Sequence, residues 1–253
     1  MEKINFISGG KTGDLLHNMY VVNQICQKEN KLANIFITDN LNYGGDNFHY
    51  QIDKTFNDLK PFFEYQKYVN SFNILKTHLN TYVNLNSWRG YFLFGQVNWI
   101  NLLSSLNNIP QLAGNWLEFE KNNSYSDVIA IHRSTHRHTN SFPWEKIVNE
   151  NNCVFVTTDI KEFEMFPYNK NVTLKFCESF TDLALIINSA KFFIGNMSTP
   201  LALAHSLGVP RLAELFRYDE IFYIGEEKLL SNYYYYSENY NNYLNGIEKY
   251  IKL

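Results

Sequence analysis

No stretch of the 253 residues approaches the roughly 20 consecutive apolar positions that a bilayer-spanning helix needs, so a transmembrane segment is not expected. Met1-Glu2-Lys3 leads straight into a short apolar segment instead of a signal sequence, and the expected location is the cytoplasm. An excess of charge of either sign is also missing. The 22 basic and 25 acidic residues leave a formal net charge of -3, which argues against a nucleic-acid or anionic-membrane surface. Cysteine is scarce: Cys26, Cys153 and Cys177 lie too far apart for a metal or redox motif, and buried thiols are expected. Aromatic residues, in contrast, make up 17% of the chain, and the run Tyr233 to Tyr236 is read as packing and surface contact. The length allows one large domain or two of roughly 120 residues, and either can bury a core.

The segment that organises the rest is KFFIGNMSTPLALAHSLGVP, Lys191 to Pro210. Its apolar run ends at Gly195 and Asn196, and after Ser198-Thr199 a small-residue helix opens with Pro200 and closes at Gly208. A buried strand that delivers a helix N-terminus to the carboxyl edge of a sheet suits an anion such as a diphosphate, because unbonded amides and the positive end of the helix dipole point the same way.

On either side the pattern alternates. Lys3–Ser8 reads as a strand that breaks at Gly9-Gly10 and enters an amphipathic helix from Asp14 to about Lys28. Asn34–Thr38 reads as a strand, Phe56–Tyr65 as a helix, Leu75–Asn86 gives a mixed signal, and Tyr91–Leu106 reads as a largely buried helix. The polar stretch Lys121 to Ser126 has linker composition, which places a domain boundary near residue 122. Strands are then expected at Asp127–His132, Cys153–Thr157, Thr173–Phe176 and Arg211–Leu215. A helix from Thr181 to Ser189 would be capped by Thr181, and a polar helix would run from Ser237 to Leu253, with Tyr240, Leu244, Ile247 and Ile251 on one stripe. Two successive β/α runs imply an α/β protein of two Rossmann-like domains, 1–122 and 123–253, facing across a cleft.

Three loops follow strands at carboxyl edges. In the first, Asp14 either caps its helix or, beside the small Gly13, serves as a base for an acceptor hydroxyl. Gly10-Lys11-Thr12 lacks the upstream glycine of a phosphate-binding loop, since Asn5 stands there. The second, His132-Arg133-Ser134-Thr135-His136-Arg137-His138, lacks the acidic partners of a metal site and is read either as a solvated basic loop or as Arg133 or Arg137 stabilising a departing diphosphate. The third group, Thr157-Thr158-Asp159, Ser179-Phe180-Thr181 and Ser198-Thr199, consists either of ordinary caps or of a nucleotide lining, with Phe180 near the base.

Two segments carry a resemblance. SGGKTGDLLHNMYVVNQI resembles the amino-terminal motif of the ADP-heptose:lipopolysaccharide heptosyltransferase family, with Gly13, Asp14 and His17 at the matching positions. FTDLALIINSAKFFIGNMSTPLALAHSLGVP is similar to that family's carboxyl-terminal motif. The resemblance implies a GT-B fold, with the terminal helix packing back on the first domain, and an inverting, metal-independent transfer from a nucleotide sugar. Asp14 would be the base, and Ser198, Thr199 and Pro200 would frame the phosphates. Three departures stand out: Met197 replaces an acid that touches the donor sugar, Thr199 replaces a glycine, and Ala202 replaces a histidine, which points away from heptose. The loop IAIHRSTHR also resembles that of fucosyltransferase-type GT-B enzymes.

The expected function is therefore transfer of a hexosyl or pentosyl unit from a nucleotide-diphosphate sugar to a glycan or glycolipid hydroxyl, with no cofactor and no metal. The residues expected to serve it are Asp14, Arg133 and Arg137 in catalysis, and Gly13, His17, His132, Thr158, Phe180, Thr181, Asn196, Ser198, Thr199 and Pro200 in binding. A nucleotide-sugar-binding protein without transfer activity and a P-loop-type kinase are the alternatives.

Overall fold

The computed structural model describes residues 1–9, 11–43, 51–111, 114–225, 232–240 and 247–252. The chain forms two compact units, Met1–Leu112 with Trp116–Phe119, and Ala113–Asn115 with Glu120–Leu253. Among the described residues no helix is long and apolar enough to cross a membrane.

The first unit is built on strands β1 (Lys3–Ser8), β2 (Leu32–Ile37), β3 (Val69–Ile74) and β4 (Val83–Asn84), arranged β3-β2-β1-β4 with parallel pairing throughout. Helix α1 (Thr12–Glu29) buries Leu15, Leu16, Met19, Val22 and Cys26 and stops at Asn30, whose left-handed backbone returns its N–H to the carbonyls of the last turn. Helix α2 (Ile52–Glu64) lies against β3, and α3 (Trp99–Asn107) against α1. The expected helix Tyr91–Leu106 is corrected: residues 91–97 form turns. Gly95 sits at φ 73°, and Asn98 starts the helix by accepting the Asn101 N–H.

The second unit carries β5 (Ile129–His132), β6 (Cys153–Thr157), β7 (Thr173–Phe176), β8 (Phe192–Asn196), β9 (Arg211–Glu214) and β10 (Tyr233–Tyr236). Their order is β10-β9-β8-β5-β6-β7, again all parallel. Strands β5 and β8 are buried along their whole length, as the apolar runs Ile129–Ile131 and Phe192–Ile194 that open them imply. Gly195 lets them lie together, because a Cβ there would stand 2.9 Å from the His132 carbonyl oxygen. The tyrosine run, read only as packing, is an edge strand beside β9.

Among its described residues the α-helices are α4 (Trp144–Glu150), α5 (Ile160–Glu164), α6 (Phe180–Ser189) and α7 (Thr199–Ser206). Ser179, not Thr181, caps α6 through a reciprocal capping box with Asp182, and the Thr181 hydroxyl lies 2.9 Å from that of Ser179. The expected carboxyl-terminal helix is also corrected. The described part holds a turn closed by Ser237 N–H on the Tyr240 carbonyl and a 3-10 turn at Ile247–Lys249, with Ile247 and Ile251 in the core and Tyr240 exposed. Leu244 lies outside the described residues.

Both sheets reverse direction once. The chain lays down β1, β2 and β3 in one direction and then places β4 on the other side of β1; it lays down β5, β6 and β7 and then places β8 on the other side of β5. Loops leaving the carboxyl ends of the two strands at such a reversal diverge, and ligands of open α/β sheets bind in the crevice they leave.

Candidate functional site

In the second unit the reversal brings together the basic loop after β5 and the N-terminus of α7 after β8. Asn196, wholly buried at the end of β8, joins them: its Oδ1 accepts the Ser134 N–H at 2.9 Å, and its Nδ2 donates to Ser134 Oγ at 3.0 Å and to the His136 carbonyl at 2.5 Å. Ser198 Oγ donates back to the Asn196 carbonyl at 3.0 Å. The first bond inside α7 runs from Ala202 N–H to the Ser198 carbonyl, so the amides of Thr199 and Leu201 precede it, and Pro200 has no N–H to lose. Ser198 and Thr199 are half-buried at this terminus and Pro200 is buried.

The two arginines occupy different situations. Arg133 turns inward, and its Nε and Nη2 fork onto Glu214 at the end of β9 at 3.1 and 3.0 Å. Glu214 also accepts the Thr139 N–H at 2.8 Å and the Trp144 indole N–H at 3.0 Å. The fork expected on a diphosphate thus meets a carboxylate, and the arginine holds the shape of the loop. Arg137, exposed and at φ 60°, pairs with Asp219 at 3.2 Å.

In the first unit the reversal places the loop after β4 against the end of β1 and the first turn of α1. Asn86 accepts the Gly9 N–H at 3.0 Å, and Arg89 Nη2 reaches Asp14 Oδ2 at 2.7 Å. Asp14 stands in the first turn of α1, where the N-cap Lys11 makes no side-chain cap bond. Gly13 is half-buried, and its carbonyl accepts from His17 Nδ1 at 2.9 Å. His17 is buried and stacks on Trp99 with ring centroids 4.7 Å apart. Gly10 lies outside the described residues.

Arg89 and Asn86 had no signal in the sequence, because a strand of two residues shows no period and its partner is chosen by strand order alone. Phe180 is corrected: at 4% exposure it is a core residue and offers no face for a nucleobase. Thr158 is exposed after β6, and Thr181 is half-buried beside the cap of α6. His132 is also inside. Its Nδ1 donates to the Val156 carbonyl at 2.9 Å, and its Nε2 lies 3.7 Å from Glu162; burial lowers its pKa against the opposing pull of that carboxylate. Among the described residues, no three His, Cys, Asp or Glu side chains gather as a metal-binding group. The three cysteines are free and buried, and burial pushes each thiol up to about 12.

No protein-family model matches the chain, and no curated protein matches it in sequence. Solved structures match it in fold. A family 9 glycosyltransferase from Veillonella parvula gives a TM-score of 0.58 at 14% identity, covering 98% of this chain and 90% of its own. E. coli ADP-heptose LPS heptosyltransferase II gives 0.53 at 9% identity, covering 98% and 95%. E. coli heptosyltransferase WaaC, solved with ADP, gives 0.51 at 11% identity, covering 83% and 86%. Two parallel sheets, their helices and this likeness give the chain the heptosyltransferase-like GT-B fold.

Proposed function

We propose that the protein is an inverting glycosyltransferase that moves a sugar from a nucleoside-diphosphate donor to a hydroxyl of a glycan or glycolipid, without a metal ion, in the cytoplasm. The observation that carries this reading is Asn196, which clamps the basic loop onto the N-terminus of α7 at the reversal of the second sheet. Amides of Thr199 and Leu201, the hydroxyls of Ser198 and Thr199, and the cation of Arg137 would receive the diphosphate. That the heptosyltransferase WaaC was solved with ADP supports a nucleoside diphosphate as the ligand.

The reaction assigns one role to each part. An acceptor oxygen attacks the anomeric carbon from the face opposite the diphosphate, the Asp14 carboxylate takes its proton, and the bonding pair of the departing C–O bond goes to the phosphate oxygen. Charge that builds on that oxygen is met by the helix terminus and Arg137, oriented in advance by Asn196 and by the Arg133–Glu214 pair. Met197 stands where the resembling family has an acid that touches the donor sugar, which points to a sugar other than heptose.

The test is a thermal-shift screen of the purified protein against UDP, GDP, ADP, CMP, dTDP and ATP, with and without EDTA, because any ligand of the native state raises apparent stability by mass action. A selective shift with one diphosphate that survives EDTA is expected. Replacing Asp14 by Ala should leave that shift intact and lower turnover by roughly 10²- to 10⁴-fold. A shift that needs ATP and Mg²⁺ and is lost in Lys11→Ala would establish a kinase instead, and full turnover in Asp14→Ala would remove the base.

A further inference from the structure

The inference rests on the reading of Asp14 as the base. We propose that Arg89 is the positioning residue of that base: it holds the Asp14 carboxylate in one orientation before the acceptor arrives. The contact is short, Nη2 to Oδ2 at 2.7 Å, and both side chains are mostly withdrawn from solvent, at 29% and 21% exposure. An ion pair on open surface stabilises little, because two long side chains must be immobilised in water to make it. Here the immobilisation comes from elsewhere. The guanidinium lies over the buried Trp88 ring at 4.3 Å, Trp88 meets Trp99 edge-on at 5.0 Å, and Trp99 stacks on His17 at 4.7 Å and 11°.

The chain of contacts closes on itself. His17 donates to the carbonyl of Gly13, the residue before Asp14, so the base and its partner sit on one ring of packed groups running Asp14, Arg89, Trp88, Trp99, His17, Gly13. At the other end of the β4 loop, Asn86 accepts the Gly9 N–H and donates to the Tyr43 carbonyl at 3.2 Å, which ties that loop to the residue following β1. A flat guanidinium resting on an aromatic face can orient a carboxylate, whereas the flexible ammonium of a lysine at the same place can supply charge without direction. The arrangement is what orientation of a base requires, since a displacement of about 1 Å at a reacting group can cost on the order of a hundredfold in rate.

The experiment uses the full-length protein and measures nucleoside diphosphate release by transfer of the sugar to water, with UDP-glucose, GDP-mannose, ADP-glucose and dTDP-glucose as probes. Wild type is compared with Asp14→Asn, Arg89→Ala, Arg89→Lys and the double variant Asp14→Asn/Arg89→Ala. Arg89→Ala is expected to lower kcat by about 10- to 100-fold with KM for the donor unchanged, Arg89→Lys to recover only part of it, and added methylguanidine to restore rate to Arg89→Ala. In the Asp14→Asn background the second change should have no further effect on kcat, because there is no base left to orient. A raised KM with unchanged kcat, or full kcat in Arg89→Ala while Asp14→Asn is inactive, overturns the inference and leaves the transferase reading standing. Full release in Asp14→Asn overturns the reading of the base and the inference with it. Nucleotide-induced thermal shifts equal to wild type certify that each variant is folded, and Arg89→Lys carries the comparison if Arg89→Ala is not.

Discussion

Arg133 and Glu214 meet in a two-point ion pair, Nε to Oε2 at 3.1 Å and Nη2 to Oε1 at 3.0 Å, with the carboxylate wholly buried. With Thr139 N–H and the Trp144 indole added, the carboxylate receives four donors, which matches its roughly four lone-pair positions. A basic loop after one strand is thus tied to the end of another strand and to the first residue of α4.

Removing one side of that pair should be expensive. Glu214→Ala leaves a mostly buried guanidinium without its carboxylate, and a loss of about 3–5 kcal/mol in unfolding free energy is expected by chemical denaturation. The double variant Arg133→Met/Glu214→Ala should lose less than the two single changes added together, because neither leaves its partner charged and alone. Equal and additive losses would show that the pair is incidental to the fold.

Asn196 makes a different prediction. Its side-chain hydrogen bonds to Ser134 and His136 hold the basic loop beside the start of α7. Asn196→Ala leaves the Ser134 N–H and the His136 carbonyl to find other partners, at a cost of roughly 1–3 kcal/mol in stability. It should also weaken binding of the diphosphate found in the thermal-shift screen, measured by calorimetry well below the melting temperature. Lower stability with unchanged affinity would confine Asn196 to a structural role.

Acid should weaken the second unit before its carboxylates titrate. His205 is wholly buried; burial, and then the nearby Arg211 charge, hold its pKa well below the ordinary 6.5, and burial lowers that of His132 as well. Both rings hold the neutral form more strongly in the fold than in the unfolded chain, which takes up their protons as pH falls through 6.5. The unfolded state therefore binds more protons, and stability declines as pH drops below that value. Between about pH 7.5 and 5.5, where carboxylates stay ionised, the fall in melting temperature should be smaller in His205→Gln than in wild type. The same slope in both proteins would remove His205 as its source.

Much of the fold was legible because it is local. Strands β5 and β8 open on apolar runs, and the Ser198-Thr199-Pro200 start and Gly208 end of α7 are written in the residues themselves; α1 is a helix as its pattern implies, but it is buried on all sides from Leu15 to Asn23 and not along one stripe. Where structure and local pattern part, the reason is local as well. A long apolar segment around residues 91–106 read as one helix because hydrophobicity outweighed the breaks at Gly95 and Asn98. The tyrosine run carries no strand signal of its own, because four identical residues have no alternation. Phe180 stood beside polar neighbours at a strand end, and only packing showed that it belongs to the core.

Residue order by itself determined the β/α alternation, the helix that starts after β8, the candidate base and the basic loop. The tertiary structure decided which charges meet. Arg89 lies 75 positions from Asp14 and Glu214 lies 81 from Arg133, separations over which no periodicity or propensity carries information. They are neighbours because each sheet reverses beside its first strand, and strand order is set by how buried faces and crossover helices pack together, a property of the whole unit and not of any segment within it.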